Sequence, residues 1–132
     1  MTVAKALGLQ TDVYNAVVAG VAAWSIPVFD NAPIKPPNEF IRLDGFTVAG
    51  LPRKRGEIAR HAFEIHHFLA PVASSSITRG QTRSKTVLAA VHVAILAASL
   101  QGATAEHEYM SVDPDMDGVT AHGMSRYTII LV

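Results

Sequence analysis

The 132-residue sequence contains no cysteine. Disulfides, thiolate metal sites and a nucleophilic thiol are therefore excluded, and redox chemistry says nothing about the compartment. Charge is also scarce: 17% of residues are Asp, Glu, Lys or Arg, and the formal net charge is zero. Whole-chain attraction to nucleic acid or to an anionic membrane is not expected from such a balance. No run reaches the roughly 18 apolar residues of a membrane span. The longest, residues 87–100, is interrupted by His92 and Ser99. The N-terminus lacks the charged start and compact apolar block of a secretory signal. The expectation is a soluble chain with no membrane partner, made and used inside a cell or assembled into a particle there.

Catalytic signatures are missing as well. There is no G-x-S-x-G elbow, no G-x-x-x-x-G-K-[ST] phosphate loop and no G-x-G-x-x-G. No cofactor is implied. What the chain does have is apolar content: 49% of its residues are hydrophobic. That is enough for a core without staples, and the length suggests a single domain over 1–132. An apolar chain of zero net charge is poorly protected against self-association, which makes a multimeric role plausible.

Hydrophobic periodicity supplies the elements. Val3, Leu7, Tyr14, Val17, Val21 and Trp24 recur at helical spacing, strongest over residues 11–24, and Pro27 ends the helix. Residues 27–30, "PVFD", read as a short edge strand. "NAPIKPPN", residues 31–38, carries three prolines in eight residues and is read as an irregular connector. Residues 39–46 alternate as a strand. Residues 47–56, "TVAGLPRKRG", read as a loop with a cationic tip at Arg53, Lys54 and Arg55. Residues 57–72 read mostly as a central strand, and 73–83 as a small-residue connector. A second helix is expected over 84–101, with Val87, Leu88, Val91, Ile95 and Ala98 on its apolar face and Gly102 just beyond its end. The last thirty or so residues read as a hairpin. Strands joined by loops favour antiparallel pairing. The fold class is α+β: a twisted, mainly antiparallel sheet of four to five strands with two helices packed on one face. "RYTIILV" offers apolar side chains to both faces, so the second face is expected to be covered too, by another subunit.

Two clusters invite metal chemistry. "DPDMDG", residues 113–118, begins like a calcium loop, with oxygens at positions 1, 3 and 5 and glycine at 6. Position 12 is Met124, and no acid follows between Val119 and Val132, so a hairpin turn is the better reading. "HAFEIHH" holds His61, Glu64, His66 and His67 but matches neither zinc spacing, H-E-x-x-H or H-x-x-E-H. On a strand, Glu64 and His66 would share one face and His61 and His67 the other, two ligands each where catalytic zinc needs three. A sheet face exposed to water or to a partner is the expectation, with no metal. His92 falls opposite the helix stripe and is expected to be solvated or at an interface. "RKRG" suits a solvated tip or an acidic partner better than DNA.

Taken in order, these pieces resemble a known family. "VYNAVVAGVAAW", "IPVFDNAP", "NEFIRLDGF", the strand around "ARHAFEIHHFLA", the helix "KTVLAAVHVAILAASL" and above all "VDPDMDGVTAHGMSRYTIIL" are similar to the small tail-completion proteins of tailed phages and gene transfer agents, the DUF3168 group, which are similar to siphophage tail terminators. The family's D-P-D-G turn has two extra residues here, Met116 and Asp117, and its strand ending in V-W-S is replaced by "HHFLAPVASSS". The resemblance implies a structural virion protein rather than an enzyme. It implies a homo-oligomer, a ring of six copies, that caps the head-proximal end of the tail tube, stops polymerisation and joins the tail to the neck, after assembly in the host cytoplasm. Its implied partners are the tail tube protein and a neck or head–tail connector protein, with passing contact to DNA in the lumen. Another connector component, such as a stopper, and a histidine-based metal enzyme are the alternatives. Two long loops are the expected interface, through Pro33, Lys35 and Pro36 and through Arg53, Lys54 and Arg55.

Overall fold

Phe63 sits at the centre of the molecule, fully buried on the middle strand of a five-stranded sheet. The computed structural model describes residues 5–51, 58–71 and 77–132. In chain order the elements are α1 (Lys5–Gly20), β1 (Val28–Phe29), β2 (Glu39–Gly50), β3 (Ala59–Leu69), α2 (Ile77–Ala97), β4 (Glu106–Pro114) and β5 (Ala121–Leu131). The strand order is β1-β2-β3-β5-β4. Every pairing is antiparallel except β1 with β2, which is parallel. The parallel pair corrects the expectation that successive strands form hairpins. The connector between them, rather than a tight turn, returns the chain to the same end, so both strands run the same way.

One face of the sheet carries the core. Ile41 and Leu43 of β2, Phe63 and Ile65 of β3, and Tyr127, Ile129 and Leu131 of β5 are buried under the helices. α1 contributes Leu9, Val13 and Val17, and α2 contributes Val87, Leu88, Val91 and Ile95. Phe46, Phe63 and Tyr127 stack in a row across three strands, with ring centroids 5.6 and 5.4 Å apart. Three glycines set how closely the layers approach. A Cβ on Gly20 would lie 2.9 Å from the Ala94 Cβ, one on Gly80 2.7 Å from the Ala121 Cβ, and one on Gly123 2.8 Å from Leu88 Cδ1. Larger side chains there would force the helices away from the sheet or from each other.

Several boundaries move for local reasons. α1 ends at Gly20, and Ala22–Trp24 form a single 3-10 turn closed by Ser25 in the left-handed region. β2 runs to Gly50, four residues past the expected end. A bulge between Asp44 and Thr47, with Gly45 at φ 65°, bends the strand and lets it keep pairing with β3 as far as Ala59. α2 begins at Ile77 instead of 84 and ends at Ala97 instead of 101. Its start is extended because Gly80 packs directly on β5. Its end is fixed by an isolated bridge between Leu100 and Ala103, with Gln101 and Gly102 both at positive φ. Asp12 of α1 accepts hydrogen bonds from the backbone and side chain of Gln101, tying the two helices at that turn.

Candidate functional site

The histidines are not gathered into one centre. β3 alternation divides them as expected, but His61 and His67 do not face water or a partner: they are 1% and 0% exposed, beneath the helices. Phe63 and Ile65 share their parity, so the whole register points into the core. His67 Nδ1 lies 2.7 Å from Ser84 Oγ, and its Nε2 lies 2.9 Å from Glu39 Oε2. Arg83 holds the same Glu39 with two donors, at 2.8 and 2.9 Å, and stacks its guanidinium 5.0 Å from the Trp24 ring. A neutral His67 satisfies both neighbours: Nε2–H donates to Glu39 and Nδ1 accepts the Ser84 hydroxyl.

The electrostatics agree with that assignment. Burial pushes the His67 pKa down, Glu39 opposes this through its hydrogen bond and charge, and Arg83 adds to the lowering, so the net shift is downward. For Glu39, burial alone would raise the pKa, but hydrogen bonds from Arg83 and His67 and their charges outweigh it and hold the carboxyl below its ordinary value. The serine, histidine and glutamate have the connectivity of a hydrolytic triad. Ser84, however, is 0% exposed, and a Cβ at Gly123 would stand only 3.0 Å from the Ser84 Cβ. Strand β5 lies directly over Ser84, which is fully buried. The cluster joins the start of α2 to β2 and β3.

His66 lies on the opposite, helix-free face. Its Nε2 is 3.1 Å from Glu64 Oε1 and its Nδ1 is 2.7 Å from His122 Nε2. With Nε2–H donated to Glu64, Nδ1 accepts from His122. His122 Nδ1 is left facing Asp115 at 3.8 Å. Burial, then the neighbouring His66, lowers the His122 pKa, with Asp115 opposing. The rings of Phe29, Phe40, Phe68 and His122 step across this face at centroid distances of 6.0, 4.9 and 4.2 Å. Beside them Arg126 bridges Glu64 at 3.0 Å and Glu108 at 2.6 Å. Ion pairs this exposed contribute little to stability, so the aromatic steps carry more of this face's order. The centre of this face is thus polar and aromatic. The apolar residues at its end, Ile130 and Val132, are 46% and 66% exposed.

His92 is partly exposed and has partners within the chain. It is half-buried, with Nδ1 3.0 Å from the Tyr127 hydroxyl and its ring edge-on to His107. Burial pushes the Tyr127 pKa up to about 12, so the phenol stays protonated at neutral pH. Burial and then His92 lower the His107 pKa. The aspartate loop turns a corner. Asp117 accepts hydrogen bonds from the backbone of Val119 and Thr120 and from the Thr120 hydroxyl, and Gly118 takes φ 76°. Among the described residues, no three His, Asp or Glu side chains converge as metal ligands.

Of the expected interface residues, Pro33, Lys35 and Pro36 lie in the connector between β1 and β2. Pro33 and Pro36 line a cavity of about 360 Å³ with Pro37, Phe40, Phe68 and Arg42, while Lys35 projects into solvent. Asp115 and Thr120 also line it, so the connector and the β4–β5 turn meet at one end of the sheet. Arg53, Lys54 and Arg55 fall outside the described residues. Sequence reasoning missed Glu39, Arg83 and Ser84, since nothing local marks a contact between residues so far apart.

No family model and no curated protein matches the chain. Among solved structures, the chain is similar to one from the virion of a native gene transfer agent particle, with a TM-score of 0.70 at 20% identity and 90% of each chain covered. At that identity the likeness establishes a shared fold.

Proposed function

We propose that this chain is a structural virion protein, a tail terminator of the tail-completion family, acting as a single domain. Copies of it form a hexameric ring at the head-proximal end of a phage-like tail. The ring stops polymerisation of the tail tube and presents its other side to the neck. The observation that carries this reading is the fold shared over 90% of both chains with a gene transfer agent virion chain. It coincides with the ordered sequence motifs that independently resemble tail-completion proteins. Two features support a structural role. Among the described residues the triad-like cluster is buried, and β1 and β4 are the outermost strands of the sheet. Among the described residues, no helix is long and apolar enough to cross a membrane.

In this reading the connector with Pro33, Lys35 and Pro36 and the segment with Arg53, Lys54 and Arg55 contact neighbouring subunits or the tube. Replacing Arg53, Lys54 and Arg55 together with serine is expected to leave the thermal midpoint near the parent value and to weaken assembly by about tenfold or more, on the order of three lost charge contacts. Sedimentation with tail tube protein checks it. Parent-like assembly of the triple variant would remove those residues from the interface.

A further inference from the structure

His122 is the second residue of β5, where the chain leaves the β4–β5 turn and enters the sheet. Its ring stacks on Phe68 at 4.2 Å, and its Nε2–H donates to His66 Nδ1 at 2.7 Å. His66 in turn donates Nε2–H to Glu64 at 3.1 Å. These bonds fix the tautomer of His122 and leave its Nδ1 as a lone pair facing the Asp115 carboxylate. Two acceptors therefore meet there, and their 3.8 Å separation is beyond hydrogen-bond reach. Asp115 opens the turn. Its N–H donates to the Thr120 carbonyl and its own carbonyl accepts from Gly118 N–H, both at 2.8 Å. The same Asp115 lines the cavity shared with Pro33 and Pro36, where Arg42 is a second charged side chain.

We propose that Glu64, His66, His122 and Asp115 form a proton-operated latch, in which a proton taken up at His122 Nδ1 closes the gap to Asp115 and draws the β4–β5 turn onto the sheet. The proton comes from water, since the His122 side chain is 27% exposed. Every donor then meets an acceptor: His122 donates to Asp115 and to His66, and His66 donates to Glu64. No existing bond has to break, because His122 keeps its Nε2–H. Closing moves the Asp115 carboxylate from the cavity toward β5, so the mouth beside Pro33 and Pro36 becomes more cationic in acid. The surrounding charges set where this happens. Burial and then His66 of β3 lower the His122 pKa, and Asp115 opposes them. Arg42 of β2 adds to the lowering, and Asp113 of β4 opposes it. Glu64 is shared between His66 and Arg126. The net shift is downward, so the latch is open at neutral pH and closes below the ordinary 6.5. Asp117, whose pKa is held low by its hydrogen bonds to Thr120 and Val119, stays charged through this range and keeps the turn itself intact.

The test is nuclear magnetic resonance of the full chain between pH 8 and pH 5, reading the imidazole nitrogens of His122 and hydrogen exchange in the turn. His122 is expected to carry its proton on Nε2 alone at pH 8 and protons on both nitrogens at pH 5. Across the same midpoint the Asp115 and Gly118 amides should gain about threefold in protection, corrected for intrinsic exchange, the weight of one partly exposed ion pair. Asp115→Asn should lower the His122 midpoint by about half a pH unit, more than Asp113→Asn does, and abolish the gain in protection. A His122 proton on Nδ1 at pH 8, a midpoint that Asp115→Asn leaves at the parent value, or turn protection that ignores the midpoint each overturns the latch. The latch lies within one chain, so its failure leaves the ring reading standing.

Discussion

Phe63→Ala is expected to destabilise the protein by about 3–5 kcal/mol, the usual range for truncating a buried aromatic ring. Phe63 is fully buried on the central strand and stacks on Phe46 to one side and Tyr127 to the other. Its removal therefore strands two rings as well as leaving a void. Against a total of roughly 5–15 kcal/mol for a domain of this size, most of the margin would go. The check is urea unfolding: the midpoint should fall sharply with the slope unchanged. A loss below about 1 kcal/mol would mean the site repacks, contrary to the layer spacing set by Gly80 and Gly123.

The second large effect is at His67. His67→Leu keeps the volume but removes both hydrogen bonds. The Ser84 hydroxyl then loses its partner in the core, and Glu39 keeps only Arg83. A buried group left unpaired costs about 1–3 kcal/mol. The same substitution should flatten the response to acid. In the folded protein burial holds the His67 pKa below its ordinary 6.5. As the pH falls through 6.5, the unfolded chain takes up the proton first and the folded state is disfavoured. Stability attributable to this group is complete above that pH and is lost on the way down to its folded pKa. His107 and His122, also lowered, act in the same direction, and Glu39 adds a further loss below its ordinary 4.5. Thermal midpoints at pH 7 and pH 5 should therefore differ less in His67→Leu than in the parent. One proton's worth of slope, at most about 1.4 kcal/mol per pH unit, is at stake. An unchanged difference between the two pH values would mean that burial does not lower the His67 pKa, and a larger difference in His67→Leu would mean that His67 is held protonated in the fold, pairing as an ion with Glu39.

How far the sequence exposes this design depends on whether the signal is local. The α2 stripe of Val87, Leu88, Val91 and Ile95 is a local pattern, and it places the core correctly. Local pattern also read the aspartate turn, because the missing acid after Met124 is visible in the chain itself. His61 and His67 share the parity of Phe63 and Ile65, so register places them inward although their polarity suggests an outward face; His67, with Glu39 and Ser84 for partners, is stable inside. The Glu39–Arg83 pair spans 44 residues and the His66–His122 pair 56, separations that no window-based pattern covers. The parallel β1–β2 pairing was hidden for a related reason: two residues are too short to reveal strand direction.

The central claim is that the chain works as a ring-forming structural subunit. The most direct measurement is the native mass of the purified protein at several concentrations, by light scattering behind a sizing column, alone and with tail tube protein, with metal analysis of the same peak. The account predicts a metal-free hexamer, or a monomer that becomes one when tube is added. A strict monomer that ignores tube protein and carries stoichiometric zinc would contradict it.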